Sequence, residues 1–150
     1  MTEHLHEAED RVALRALVDA YGAAADAKRY PDMAACFVED GRFTMCMTPG
    51  EDQPTAVHQG RAEIEGAMAA LDAFVATTHL IGAQVVELDG STARGEATCV
   101  ALHVLVRPTG RRLLTMGIRY EDRFGRHDGR WLLEDRRLVV LWQELRPMEG

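Results

Sequence analysis

Tyr21, Asp26, His79, His103, Tyr120 and Arg137 are polar groups set among the apolar positions of what reads as one helix and four long strands. Burying a polar group without a partner costs roughly 1–3 kcal/mol, so several in one small interior need a shared purpose. A lined pocket doing acid–base chemistry supplies one. Histidine suits proton abstraction beside a carbonyl, because its ordinary pKa lies near neutrality. Asp26 could hold His79 in one tautomer and stabilise its cation. Tyr21 or His103 could then donate a hydrogen bond to the carbonyl oxygen or to a leaving hydroxyl. Together they would carry out syn elimination of water, or an isomerisation or cyclisation that moves a proton. Tyr120, Arg137, Met116 and Phe43 are the candidates for substrate contact. The plainer readings are a hydrogen-bonded core histidine, an Asp26 that caps the following helix, and a structural Tyr120–Arg137 pair.

The elements that must position these groups follow from periodicity. Leu14, Leu17, Val18, Tyr21 and Ala25 recur at helical spacing and form the apolar stripe of a first helix from about Glu7 to Ala27. Tyr21 and Asp26 then stand about 140° apart around the axis at ~3.6 residues per turn, so both reach one pocket only at its mouth or at a frayed helix end. Pro31 fits the first turn of a short second helix carrying Met33, Ala34 and Phe37, which Val38-Glu39-Asp40-Gly41 ends. A strand is expected from Arg42 to Met47, a rim loop from Thr48 to Pro54, and a third helix from Gly60 to about Ala73. Strands follow over about Ala76–Leu88, Ala93–Arg107, Arg111–Arg126 and Arg130–Trp142. Turns containing Asp89-Gly90-Ser91, Pro108-Thr109-Gly110 and Asp128-Gly129 join them. Helices first and then an antiparallel meander make an α+β domain spanning 1–150, with the helices on one face of a curled sheet.

Period-2 alternation assigns faces. Ala97, Cys99, Ala101, His103 and Leu105 read as inward, and His79, Ile81, Ala83 and Val85 as the matching set on the strand before. A three-residue Gly90-Ser91-Thr92 loop would place His79 directly across from His103. A two-residue Asp128-Gly129 turn would set Arg137 across from Tyr120 and Asp135 across from Asp122. The Glu121-Asp122-Arg123 and Asp135-Arg136-Arg137 charges read as a cross-strand ion network of little energetic weight. Val100, Leu102, Val104 and Val106, with Leu138, Val140 and Trp142, would form an outer apolar row, and such a row marks an interface. A homodimer through that face is expected.

Composition narrows the remaining classes. The 150 residues carry a net charge of −7, with 47% hydrophobic and 27% charged residues. That balance argues against nucleic-acid and anionic-membrane partners. No apolar run approaches the ~20 residues that span a bilayer, and the acidic start MTEHLHEAEDR lacks an export signal. Cys36, Cys46 and Cys99 are odd in number and widely spaced, which fits reduced packing thiols and a cytoplasmic location.

The chain also resembles the SnoaL-like polyketide cyclases, in the superfamily that holds scytalone dehydratase, bile-acid dehydratase, ketosteroid isomerase and nuclear transport factor. The carriers are Tyr21-x4-Asp26-x3-Tyr30 followed by Phe37, the Gly60-Arg61-x2-Ile64 helix start and Thr78-His79. Arg119-Tyr120-Glu121-Asp122-Arg123 and Asp128-Gly129-Arg130-Trp131 complete them. The resemblance implies a cone-shaped fold with a deep apolar pocket, commonly dimers, and cofactor-free lyase, isomerase or cyclase chemistry. It also implies that Tyr21 and Asp26 match a catalytic tyrosine and aspartate of bile-acid and related dehydratases. His79 matches the histidine shared by both dehydratases, and His103 the second histidine of scytalone dehydratase. Ala25 and Met45 stand where scytalone dehydratase has tyrosines, and Val140 where the bile-acid enzyme has an arginine, so those substrates do not transfer. Two histidines and a carboxylate could also form the facial triad of a non-haem iron site, which the resembling families do not use.

The expected function is a cofactor-free and metal-free dehydratase or cyclase/isomerase acting on a small hydrophobic, polycyclic or polyketide-like ketone. The alternative is a noncatalytic ligand carrier or dimerising module resembling the small subunit of ring-hydroxylating dioxygenases. Approach of Asp26 and His79 within ~3.5 Å separates the two.

Overall fold

The computed structural model describes residues 2–149. Helix α1 (Thr2–Asp26) leads into α2 (Tyr30–Ala35) and strand β1 (Phe37–Cys46). Strand β2 (Ala56–Gln59) precedes α3 (Arg61–Met68) and a 3-10 turn (Ala69–Ala73). Strands β3 (Ala76–Asp89), β4 (Thr92–Arg107), β5 (Gly110–His127) and β6 (Arg130–Pro147) complete the chain. All six strands form one curved sheet in the order β2-β1-β6-β5-β4-β3. The meander is antiparallel, while β1 joins β6 in parallel. The helices lie against the inner face, giving the expected α+β architecture.

The stripe read from α1 is the one that is buried: Leu14, Val18, Tyr21 and Ala25 turn to the sheet and meet Phe37, Phe43, Ile64, Ala97, Cys99, Ala101 and Ile118. Each large side chain so buried contributes about 1.5–3 kcal/mol, enough to orient the helix despite its polar outer face. Two boundaries differ from expectation. β1 starts at Phe37 rather than Arg42, because 38–41 form an irregular stretch in its pairing with β6. β2 was not expected, since four residues are too few to show alternation.

Three bulges rewrite the expected registers. The β3–β4 hairpin closes over Gly90-Ser91, with Asp89 paired to Thr92, and a bulge at Gly82-Ala83 then shifts the pairing. His79 therefore faces Ala101, and His103 faces Thr77, so the two histidines are diagonal neighbours rather than an opposed pair. Beyond the bulge Val85 turns outward at 71% exposure, and Val86 and Leu88 take the inward places. The bulge is held from α1. Arg15 Nη1 donates to the Gly82 carbonyl (2.5 Å) and Nη2 to that of Ile81 (3.1 Å), satisfying acceptors around the irregular backbone.

In β6 the extra residue is Glu134. The Asp128-Gly129 turn is as expected, with both residues at positive φ (51° and 76°). After the bulge, however, Tyr120 pairs with Leu138, Glu121 with Arg137, Asp122 with Arg136 and Arg123 with Asp135. The expected Tyr120–Arg137 and Asp122–Asp135 pairs are not formed. The Glu134 bulge also puts Leu138 and Val140 in the core instead of the outer row, before a second bulge at Leu141 shifts the pairing again. Trp142 does lie outside, its indole laid over Gly117, where a Cβ would come within 2.1 Å of Nε1. A one-residue slip flips every following side chain, so these bulges decide which arginine is buried.

Candidate functional site

Asp26 is the last residue of α1, and it meets β3. The Arg15 bonds and a Gln84 Nε2 to Leu14 carbonyl bond (3.3 Å) hold the helix along that strand. His79 Nδ1 lies 2.6 Å from Asp26 Oδ1, Thr77 Oγ1 donates to the same oxygen (3.0 Å), and the His79 backbone N–H donates to Oδ2 (2.9 Å). A carboxylate accepts and does not donate, so the ring nitrogen facing it carries the hydrogen and Nε2 is left as the basic atom. The His79 side chain is 7% exposed and that of Asp26 30%. Asp26 does not cap α2, whose N-cap is Arg29 with no side-chain bond.

His103 stands edge-on to His79, with ring centroids 5.6 Å apart, and the Phe74 ring lies 4.5 Å from it on another side. Burial, reinforced by His79, lowers its pKa to about 4, so His103 is neutral at pH 7. Its Nδ1 is buried without a hydrogen-bond partner. That nitrogen is a polar atom waiting for a ligand atom or a water.

Tyr21 goes elsewhere. Its hydroxyl donates to Met68 Sδ (3.9 Å), and its ring meets Phe37 and Tyr120 edge-on. Arg136 sits over the Tyr120 and Tyr21 rings, 3.9 and 4.4 Å from their centroids. It grips Asp122 through two bonds, Nε–Oδ1 at 2.7 Å and Nη2–Oδ2 at 2.8 Å. Both side chains are shut off from solvent. Burial pushes Tyr21 up to about 12, Tyr120 well above its ordinary value and Cys99 up to about 11. Arg137 lies on the outer face, bonded to Glu121 and to the Asp52 carbonyl, so it is not beside Tyr120. Phe43 is buried between Phe37 and His58, and Met116 lies next to Ala101 on the inner face. Sequence reasoning missed Arg136 because nothing local marks Glu134 as a bulge.

Among the described residues, two shallow depressions lie away from the dyad. One, about 410 Å³, lies among Glu87, Arg94, Glu96, Arg123 and Asp135 on the outer face; the other, about 500 Å³, lies among Glu51, Asp52, Arg119 and Val139. The expected deep pocket over the dyad is not among these depressions of the described residues; Phe74 lies against His103, and Tyr21 is packed against Met68. Among the described residues no three His, Cys, Asp or Glu side chains converge as metal ligands. Nor is any helix of the described residues long and apolar enough to cross a membrane.

A family model described as a SnoaL-like domain matches residues 6–137. The fold is similar to that of a function-unknown protein from Mycobacterium tuberculosis, with 27% identity, TM-score 0.74, and 90% of this chain and 73% of that one covered. It is also similar to a candidate scytalone dehydratase from Novosphingobium aromaticivorans, at 17% identity and TM-score 0.81, covering 100% and 95%. A hexachlorocyclohexane dehydrochlorinase, LinA type 2, is similar at 16% identity and TM-score 0.81, covering 98% and 94%. No curated protein matches the chain.

Proposed function

The chain belongs to the SnoaL-like domain family, and from that premise we propose that it is an acid–base enzyme acting on a small hydrophobic ketone without a cofactor. The Asp26–His79 contact carries the reading: an imidazole aimed by a carboxylate, with its second nitrogen unbonded. His79 Nε2 takes the proton from the carbon beside the carbonyl, and the C–H electrons move into an enolate. His103, neutral at pH 7, turns its one N–H to the developing oxyanion. In an elimination the enolate then expels a β-hydroxyl, which takes up the proton from His79 and leaves as water. In an isomerisation or cyclisation the proton returns elsewhere on the carbon skeleton. The solved dehydratase-like and dehydrochlorinase structures support elimination as the first chemistry to try.

Polycyclic polyketide and steroid ketones screened against wild type and His79→Ala test the proposal. Turnover by wild type that falls about 10²–10⁴-fold in the variant supports it, and equal turnover removes His79 from the chemistry. The carrier or dimerising-module reading is disfavoured by the dyad, which neither role requires.

The homodimer remains part of the proposal. Leu80, Val100, Val106 and Trp142 leave apolar surface on the outer face. Sedimentation equilibrium should show a dimer that Trp142→Glu converts to monomer.

A further inference from the structure

The segment that covers the dyad is built differently from the rest of the interior. The 3-10 turn over Ala69–Ala73 contributes no buried residue, and only Leu71 leans on the core. α3 just before it is anchored by buried Ile64 and Met68. What holds the turn is polar. Lys28 Nζ donates to the Phe74 carbonyl (2.6 Å) and lies 4.0 Å from Asp72, and Tyr30 Oη donates to Asp72 Oδ1 (2.5 Å). Lys28 makes this reach from a left-handed backbone (φ 54°) at the end of α1, where its N–H bonds the Ala25 carbonyl and that of Arg29 bonds Ala24. Glycine is the usual residue at that helix-ending position, so a lysine there is kept at a conformational cost.

Phe74, at the end of this latched turn, sets its ring 4.5 Å from that of His103 at a 43° tilt, beside an imidazole pair that the proposed chemistry needs open. We propose that Phe74 is a displaceable cover and specificity residue: the Lys28–Tyr30–Asp72 latch holds it shut, and a flat unsaturated ring of the substrate takes its place against His103. The inference rests on the acid–base reading for the reason to open, but not for its test. A flat ring entering the slot restores the ring-to-ring contact with His103 that Phe74 gives up, whereas a puckered saturated ring does not. With few apolar contacts to break, the turn moves without disturbing the core.

Diethyl pyrocarbonate acylation of imidazoles, read peptide by peptide, tests the cover without any turnover. Lys28→Gly removes the latch and relieves the backbone, so its melting temperature should hold or rise while His79 and His103 react about tenfold faster, as loss of a charge-assisted hydrogen bond allows. Phe74→Ala should expose both histidines further and move the His103 titration up toward its ordinary range. In wild type, 1-tetralone should protect His103 from acylation more than the saturated 1-decalone. Unchanged rates in folded Lys28→Gly and Phe74→Ala overturn the cover; equal protection by the two ketones, or none, overturns the flat-ring slot. His79→Ala with full turnover would instead sink the enzyme reading and leave the cover standing.

Discussion

Asp122 and Asp26 each hold a nitrogenous partner through two hydrogen bonds, yet the two pairs are opposite in character. Asp122 spends both oxygens on Arg136 in a fork at 2.7 and 2.8 Å, with neither side chain open to solvent and two tyrosine rings closing the sides. Asp26 spends its oxygens on the backbone and ring of one histidine and on the Thr77 hydroxyl, remains 30% exposed, and leaves the other ring nitrogen unbonded. A dry pair sealed by two rings presents nothing to a substrate, even with Arg136 Nη1 left unpartnered, while a partly exposed one at the edge of the interior does. Burial, rather than residue type or bond count, separates a structural carboxylate from a chemical one.

The sharpest way to break this contrast is at the buried fork. Asp122→Ala strands a guanidinium in the core and should cost about 3–5 kcal/mol in chemical denaturation. Asp122→Leu with Arg136→Met should lose less than either change alone, because no charge is then left unpaired. Should Asp122→Ala fold as well as wild type, the fork is not the structural partner of the comparison. At the other pair, Asp26→Asn should leave the melting temperature nearly unmoved while kcat falls about 10²-fold or more through loss of the tautomer that presents Nε2.

Acidification probes the ground beside the dyad. His103 titrates at about 4 in the folded chain, below the ordinary 6.5, so the unfolded chain binds more protons between those values. Its contribution to stability is therefore complete above pH 6.5 and is lost as pH falls toward 4, by up to about 3 kcal/mol. His103→Phe should flatten that part of the stability–pH curve; an unchanged slope would mean that another group carries it. The smallest effect is expected on the outer face. Arg137→Ala breaks a half-exposed contact with Glu121 and should cost under about 1 kcal/mol. A loss as large as that of Asp122→Ala would erase the distinction drawn between the two faces.

Much of this was readable along the chain. The stripe from Leu14 to Ala25, the inward set Ala97, Cys99, Ala101 and His103, and the Asp128-Gly129 turn all emerged as local period and turn chemistry predicted. Each depends on residues within a few positions of one another, which is the range over which periodicity carries information. The pairing of Asp26 with His79 was also anticipated, though the resemblance did more for it than spacing, since 53 residues separate them. Tyr21, five residues from Asp26, was expected beside it and instead serves the Asp122–Arg136 pair.

What the amino-acid order determined by itself was the inventory: a helix with one apolar face, strands with alternating faces, tight turns, and a carboxylate and imidazoles placed on inward positions. Only the tertiary structure decided which of them meet. The extra residue at Gly82-Ala83 is held by a distant group, Arg15, which reaches from α1 to the Ile81 and Gly82 carbonyls. Local preference is blind to a partner more than 60 residues away, and a single inserted residue turns a strand over, so the choice of Arg136 over Arg137 and the offset of the two histidines belong to the fold.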